Sequence, residues 1–225
     1  MAVVRPIALS ASATIRTSPF ARMCQAVHVL SRVLHHVDDK NINLTFRYGE
    51  AVQLRRTVES LSDALAHELN EVVQQRSTRP YSEMLLLTAL DLSYSAQLSL
   101  HERYVCAGSM TNEEISSPEQ LELHSTAIAG VPQVSDAVLH LATWIEEGAV
   151  QQGVMDVSPF LVDCLYQSAA TFSWLAIETR ASEHFGKLAR LKEALQIIGA
   201  RWNSASKTSH CQSVIFTSLP YSNQL

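Results

Sequence analysis

Apolar residues recur along most of this chain at steps of three and four, the spacing that gathers side chains on one face of an α-helix. The clearest run is Ala51, Leu54, Val58, Leu61, Leu65, Leu69 and Val72, with Arg55, Arg56, Glu59, Asp63 and Glu71 opposite. It predicts a long amphipathic helix over about residues 46–76, after a connector at 41–45. The helix should end before Pro80, because the residue preceding a proline disfavours helical backbone. An earlier helix should begin at Ser18-Pro19, with Ser as N-cap and Pro in the first turn, and end near Asp38-Asp39-Lys40. Its apolar positions read as Phe20, Met23, Cys24, Val27, Leu30, Leu34 and Val37.

The next segment, about 81–107, is apolar on several sides: Leu85, Leu86, Leu87, Leu90, Leu92, Tyr94, Leu98 and Leu100. A helix without a polar face is normally surrounded by others, so this one is expected at the centre of a bundle. Ser117-Pro118-Glu119-Gln120 reads as a capping box opening a short helix over 118–129. Gly130-Val131-Pro132 should break or kink it before a further helix over about 133–151, with Val134, Val138, Leu141, Trp144 and Ile145 inward. Ser158-Pro159 repeats the start signal for a helix over 159–180, carrying Leu161, Leu165, Phe172, Leu175 and Ala176 on one face. A last amphipathic helix, about 182–203, presents Leu188, Leu191, Leu195, Ile198 and Trp202.

These elements predict an all-α, irregular multi-helix bundle of about six to seven helices. Residues 1–17 read as a loose lead-in, 18–203 as the helical domain and 204–225 as a poorly ordered tail containing the β-like run Val214-Ile215-Phe216. The sequences after the three Ser-Pro starts do not align, which argues against a repeat solenoid.

Composition sharpens this picture. Gly and Pro number only seven each in 225 residues, so long helices are possible. A net charge of −5 gives no electrostatic reason to bind nucleic acid. The most apolar run, Met84 to Leu90, is far too short to span a bilayer. Cys24, Cys106, Cys164 and Cys211 are widely spaced, form no CxxC pair, and read as small buried hydrophobes. The amino end carries Arg5, Arg16, Arg22 and Arg32 and no acid before Asp38, a composition shared with mitochondrial transit peptides.

Candidate chemistry is sparse. There is no GxSxG elbow, no GxGxxG and no phosphate-binding loop. No Glu is followed three residues later by His, as a di-iron bundle requires. His67-Glu68 opens an HExxH pattern, but Glu71 stands where the second His belongs. The sharpest titratable cluster is His35-His36-Val37-Asp38-Asp39, in which His35 could meet an Asp; the plainer reading is acids ending a helix beside half-exposed histidines. No catalytic, metal, cofactor or DNA-binding residues are therefore assigned. Tyr94, Trp144, Phe172 and Trp174 are the candidates for lining a ligand cavity, against the simpler role of filling core.

Three stretches carry a resemblance. The first is Ser18-Pro19-Phe20-Ala21-Arg22-Met23-Cys24-Gln25-Ala26 continuing to Leu34. The second is Phe46-Arg47-Tyr48-Gly49-Glu50-Ala51-Val52-Gln53-Leu54-Arg55-Arg56-Thr57-Val58, and the third is Pro159 to Ala170, leading to the closing helix Leu188 to Trp202. In this order, over about residues 18–203, the chain resembles the middle regulatory domain of fungal zinc-cluster transcription factors. The resemblance implies a nuclear protein that modulates transcription through protein partners, self-association or a small-molecule effector. That family's six-cysteine zinc module, which reads DNA, has no counterpart here, so neither the zinc cofactor nor direct DNA contact is expected. The sequence then reads as a truncated product or isoform whose packing faces have lost cover. The alternatives are a helical ligand-binding or adaptor protein unrelated to transcription, in nucleus or cytoplasm, and, last, an enzyme with an unrecognised site.

Overall fold

The computed structural model describes residues 17–39, 44–74, 80–105, 118–152 and 158–201. Among these the chain forms six α-helices and no strand: α1 (Pro19–Asp38), α2 (Leu44–Gln74), α3 (Pro80–Val105), α4 (Pro118–Gln152), α5 (Leu161–Thr179) and α6 (Ser182–Arg201). The all-α bundle expected from the periodicity is what forms. No helix among the described residues is long and apolar enough to cross a membrane. The chain divides into two compact units, Met1–Ala129 and Gly130–Leu225, and the division falls inside α4.

The first unit is built on α3. Every residue from Leu85 to Ser93 is buried, as its lack of a polar face predicts, and α3 packs most extensively on α1 and then on α2. The helices run up, down and up. Arg22 reaches Glu68 while His36 reaches Glu50, which sets α1 antiparallel to α2. Gln97 donates to Ser62 while His36 meets Tyr104, which sets α3 antiparallel to α2. The predicted stripe of α2 is buried from Ala51 to Leu69. Ser18 caps α1 as its Ser-Pro start implies: its hydroxyl accepts from the Ala21 amide at 3.2 Å.

The face of α1, however, is reversed from the sequence reading. The helix buries Ala26, Val29, Val33 and His36, while Phe20, Val27 and Leu34 lie outside. Cys24, read as a buried hydrophobe, is exposed, whereas Cys164 is buried as expected. The buried face also carries Arg22 and Gln25, and its long polar members have partners on the neighbouring helices: Arg22 bonds Glu68 on α2, and His36 meets Glu50 on α2 and Tyr104 on α3.

The second unit contains the later part of α4 with α5 and α6. Lys187 bonds Asp136 at 2.8 Å and Arg190 bonds Glu146 at 3.4 Å, so α6 runs parallel to this part of α4. The α5–α6 hairpin turns at Arg180, which adopts the left-handed conformation at φ 54° and donates its amide to the Ala176 carbonyl at 3.0 Å. Phe172, Leu161, Leu165, Leu191 and Leu195 are fully buried.

Two expectations about helix ends need correction. Gly130-Val131-Pro132 does not interrupt the helix: α4 continues through Pro132. Proline removes the amide that would bond the Ile128 carbonyl. Ile128 sits on an exposed turn, where water can take that carbonyl. Ser158-Pro159 does not cap α5 directly either. A turn intervenes, in which the Leu161 amide bonds the Ser158 carbonyl at 3.3 Å, and α5 begins at Leu161. The tail run Val214–Phe216, the lead-in 1–16, Cys106, Cys211, Trp202 and the Ile145 side chain lie outside the described residues.

Candidate functional site

One polar arrangement in the first unit is a hub joining α1, α2 and α3. His36 continues the buried stripe Ala26–Val29–Val33 of α1, so its ring enters the core rather than solvent. Its Nδ1 lies 2.9 Å from Glu50 Oε2 on α2, and its Nε2 lies 2.7 Å from the Tyr104 hydroxyl on α3. Glu50 also accepts from Arg32 at 2.8 Å. A single set of protons satisfies the chain: Tyr104 donates to Nε2, and the Nδ1 proton goes to Glu50.

The electrostatics follow from these contacts. The hydrogen bond from His36 holds the Glu50 carboxyl below its usual range; burial opposes this and the Arg32 bond adds to it. Burial pushes the Tyr104 phenol up, against the pull of the neighbouring Arg47 guanidinium. Tyr48 packs its ring 6.3 Å from that of Tyr104. Carboxylate, imidazole and hydroxyl in series can relay a proton. Here the three groups are committed to one another, with His36 and Tyr104 buried and Glu50 half-buried. The arrangement acts as a strut that fixes α1, α2 and α3 in register. A second tie, in which Arg22 grips Glu68 with Nε at 3.0 Å, pins the other end of α1 to α2.

Two buried polar groups on α3 stand apart from the hub. Asp91 is fully buried and neither carboxylate oxygen has a partner among the described residues; Ser95, one turn on, has an unpartnered hydroxyl. Burial drives the Asp91 carboxyl well above the ordinary carboxylate range. His101, further along α3, is pushed down to about 4 by burial and by the Arg55 charge.

The second unit has a smaller arrangement around Phe172. Its ring stacks on His184 at 6.2 Å and lies 5.3 Å from the Lys187 ammonium. Lys187 bridges Asp136 and Glu183, each at 2.8 Å, and those bonds raise its affinity for its proton.

The four aromatic residues singled out in the sequence fall in both units. Tyr94 is half-buried on α3 of the first unit; Trp144 is half-buried on α4 in the second. Phe172 is buried, but Trp174 is 56% exposed. Two residues apart on a helix is a turn of about 200°, so this spacing alone separates Phe172 from Trp174. Of the cluster at 35–39, His35 is exposed and only His36 is buried. His67 and Glu71 face each other at 3.9 Å on an exposed turn of α2. Among the described residues, no group of three or more His, Cys, Asp or Glu could hold a metal ion.

The hub was within reach of sequence reading at one point. Ala26, Val29, Val33 and His36 are spaced by three, four and three, a stripe as regular as the one through Phe20. Its partners Glu50 and Tyr104 are 14 and 68 residues distant, and nothing local marks them. Comparison with protein-family models, with curated proteins and with solved structures found no match.

Proposed function

We propose that this chain is a regulatory domain of the fungal zinc-cluster transcription-factor type, acting in the nucleus by binding protein partners or an effector, without touching DNA. The observation that carries this reading is the outer face of α1. The stretch that most resembles the family, Ser18 to Leu34, forms α1, and it presents Phe20, Val27 and Leu34 to solvent at 59, 50 and 45% exposure. Large apolar side chains left outside a core on one helix face support an interaction surface there. The other resembling stretches fall on α2, α5 and α6. The net charge of −5 supports action through proteins rather than phosphates.

The test is tethering. The chain is fused to a DNA-binding module of unrelated origin and expressed in a fungal reporter strain. The reading requires reporter output to change several-fold when the chain is present. A low-salt mobility-shift assay with the untethered chain should reveal no sequence-selective complex; tight selective binding counts against the reading. A second reading, a helical ligand-binding or adaptor protein unrelated to transcription, is favoured by Asp91 and Ser95, buried polar groups that a bound hydrogen-bond donor would satisfy. Thermal-shift screening discriminates, because a ligand of the folded form raises the midpoint.

A further inference from the structure

We propose that the amino end of α2 binds a phosphate group, free or as the monoester of a small molecule, held by Arg47 with help from Arg103. This names a ligand class for the effector in the reading above and rests on that reading.

Several arginines of the chain are neutralised from within: Arg22 meets Glu68, Arg32 meets Glu50, Arg55 meets Glu59 and Arg190 meets Glu146, whereas Arg47 forms no such pair among the described residues. Arg47 is only 8% exposed, and its Nη2 is fully covered and has no hydrogen-bond partner. A buried cation without an anion is costly, and an anion from solution would remove much of that cost. Glu50, one turn along α2, is already engaged by His36 and Arg32.

Its place in the helix aims the group. Arg47 is the fourth residue of α2, and a long helical side chain leans toward the amino end of its helix. The guanidinium therefore lies toward the first turn, whose amides have no partner within the helix and whose dipole end attracts an anion. No acid stands in that turn. The Tyr104 hydroxyl accepts a hydrogen bond from Arg47 and donates to His36, so the hub steadies the guanidinium and leaves Nη2 over. Arg103, exposed in the last turn of α3, adds its charge beside Tyr104. Phe46 is 65% exposed, so this end of the unit meets solvent. The net charge of −5 opposes a polyanion such as a nucleic-acid backbone, but a single ion responds to the charges nearest it. Among those, Asp38 and Asp39 close α1 at the same end and repel it. Affinity is accordingly modest, with a dissociation constant on the order of 1 mM.

The experiment follows inorganic phosphate by phosphorus NMR line broadening, from about 0.1 to about 20 mM, with the full chain at constant ionic strength. Direct binding is read because phosphate also stabilises folded proteins by exclusion from their surface. Broadening by the wild-type chain should saturate near the expected constant. Arg47→Gln keeps a donor for the Tyr104 oxygen and should weaken binding about tenfold, and Arg103→Gln, at an exposed position, about threefold. Arg56→Gln removes an exposed charge elsewhere on α2 and should leave binding unchanged. Circular dichroism checks that each variant is folded; if R47Q is not, the comparison of R103Q with R56Q decides. Methyl phosphate that competes equally well assigns the site to a monoester, and its failure to compete assigns it to the free ion. Absence of saturable broadening overturns the proposal, as does a folded R47Q that binds like wild type. An R103Q chain indistinguishable from R56Q also overturns it, as diffuse surface attraction. The reporter result above stands or falls separately, since a chain that binds no phosphate can still change transcription through a protein partner.

Discussion

Replacing Asp91 with Asn tests the polar content of α3 most sharply. The carboxyl is fully enclosed and without a partner among the described residues, so its charged form is strongly disfavoured. The folded-state pKa is raised well above the 3.8 of the free group. Above that lower value the native state therefore holds a proton that the unfolded chain releases. Stability from this group is complete below the unfolded pKa and declines as pH rises toward the folded one. The loss is slightly more than ~1 kcal/mol per pH unit, with a ceiling of about 4 kcal/mol at pH 7. Asn has nearly the same shape and never ionises. Urea unfolding followed by circular dichroism, from about pH 4 to 8.5, isolates the effect in the difference between the two proteins, because every other titrating group, His101 included, is common to both. Asp91→Asn should gain on wild type across that window, by slightly more than ~1 kcal/mol per unit until the native carboxyl itself ionises. Parallel pH profiles for the two proteins would mean that Asp91 is ionised and well solvated or paired, and would refute the reasoning.

Three further outcomes follow from named contacts. His101 has a folded pKa of about 4 against 6.5 unfolded, so acidification through that interval should cost about 3 kcal/mol, and His101→Gln should flatten the profile there. Tyr104→Phe removes the donor to His36 and leaves a buried ring nitrogen unpaired; urea titration should register a loss of about 1–3 kcal/mol. Arg180→Gly relieves a left-handed residue at the α5–α6 turn and should raise the melting point, for a gain of up to about 1 kcal/mol.

Much of the architecture was legible because helices announce themselves locally. The α2 stripe, the Ser18-Pro19 start and the featureless polarity of α3 each depend on residues within a few turns, and each appears where the spacing put it. The misreadings come from choices made at longer range. Helix α1 has two apolar faces, and local periodicity has no means of ranking them; the buried one is the face whose Arg22 and His36 find partners on α2 and α3. Gly130-Val131-Pro132 was read as a break or kink, but the cost of proline depends on whether the freed carbonyl can reach water, and Ile128 lies on an exposed turn where α4 continues. The hub of His36, Glu50 and Tyr104 needs three helices already in place.

The central claim is that this chain works through the outer face of α1 rather than through a reactive site. Its most direct test compares reporter output from the tethered wild-type chain with that from Leu34→Glu, a change at a half-exposed position of that face. The account predicts that the substitution abolishes the several-fold change in output while melting and helical content stay as in wild type. Unaltered output from the variant, or no response to the wild-type chain at all, would contradict it.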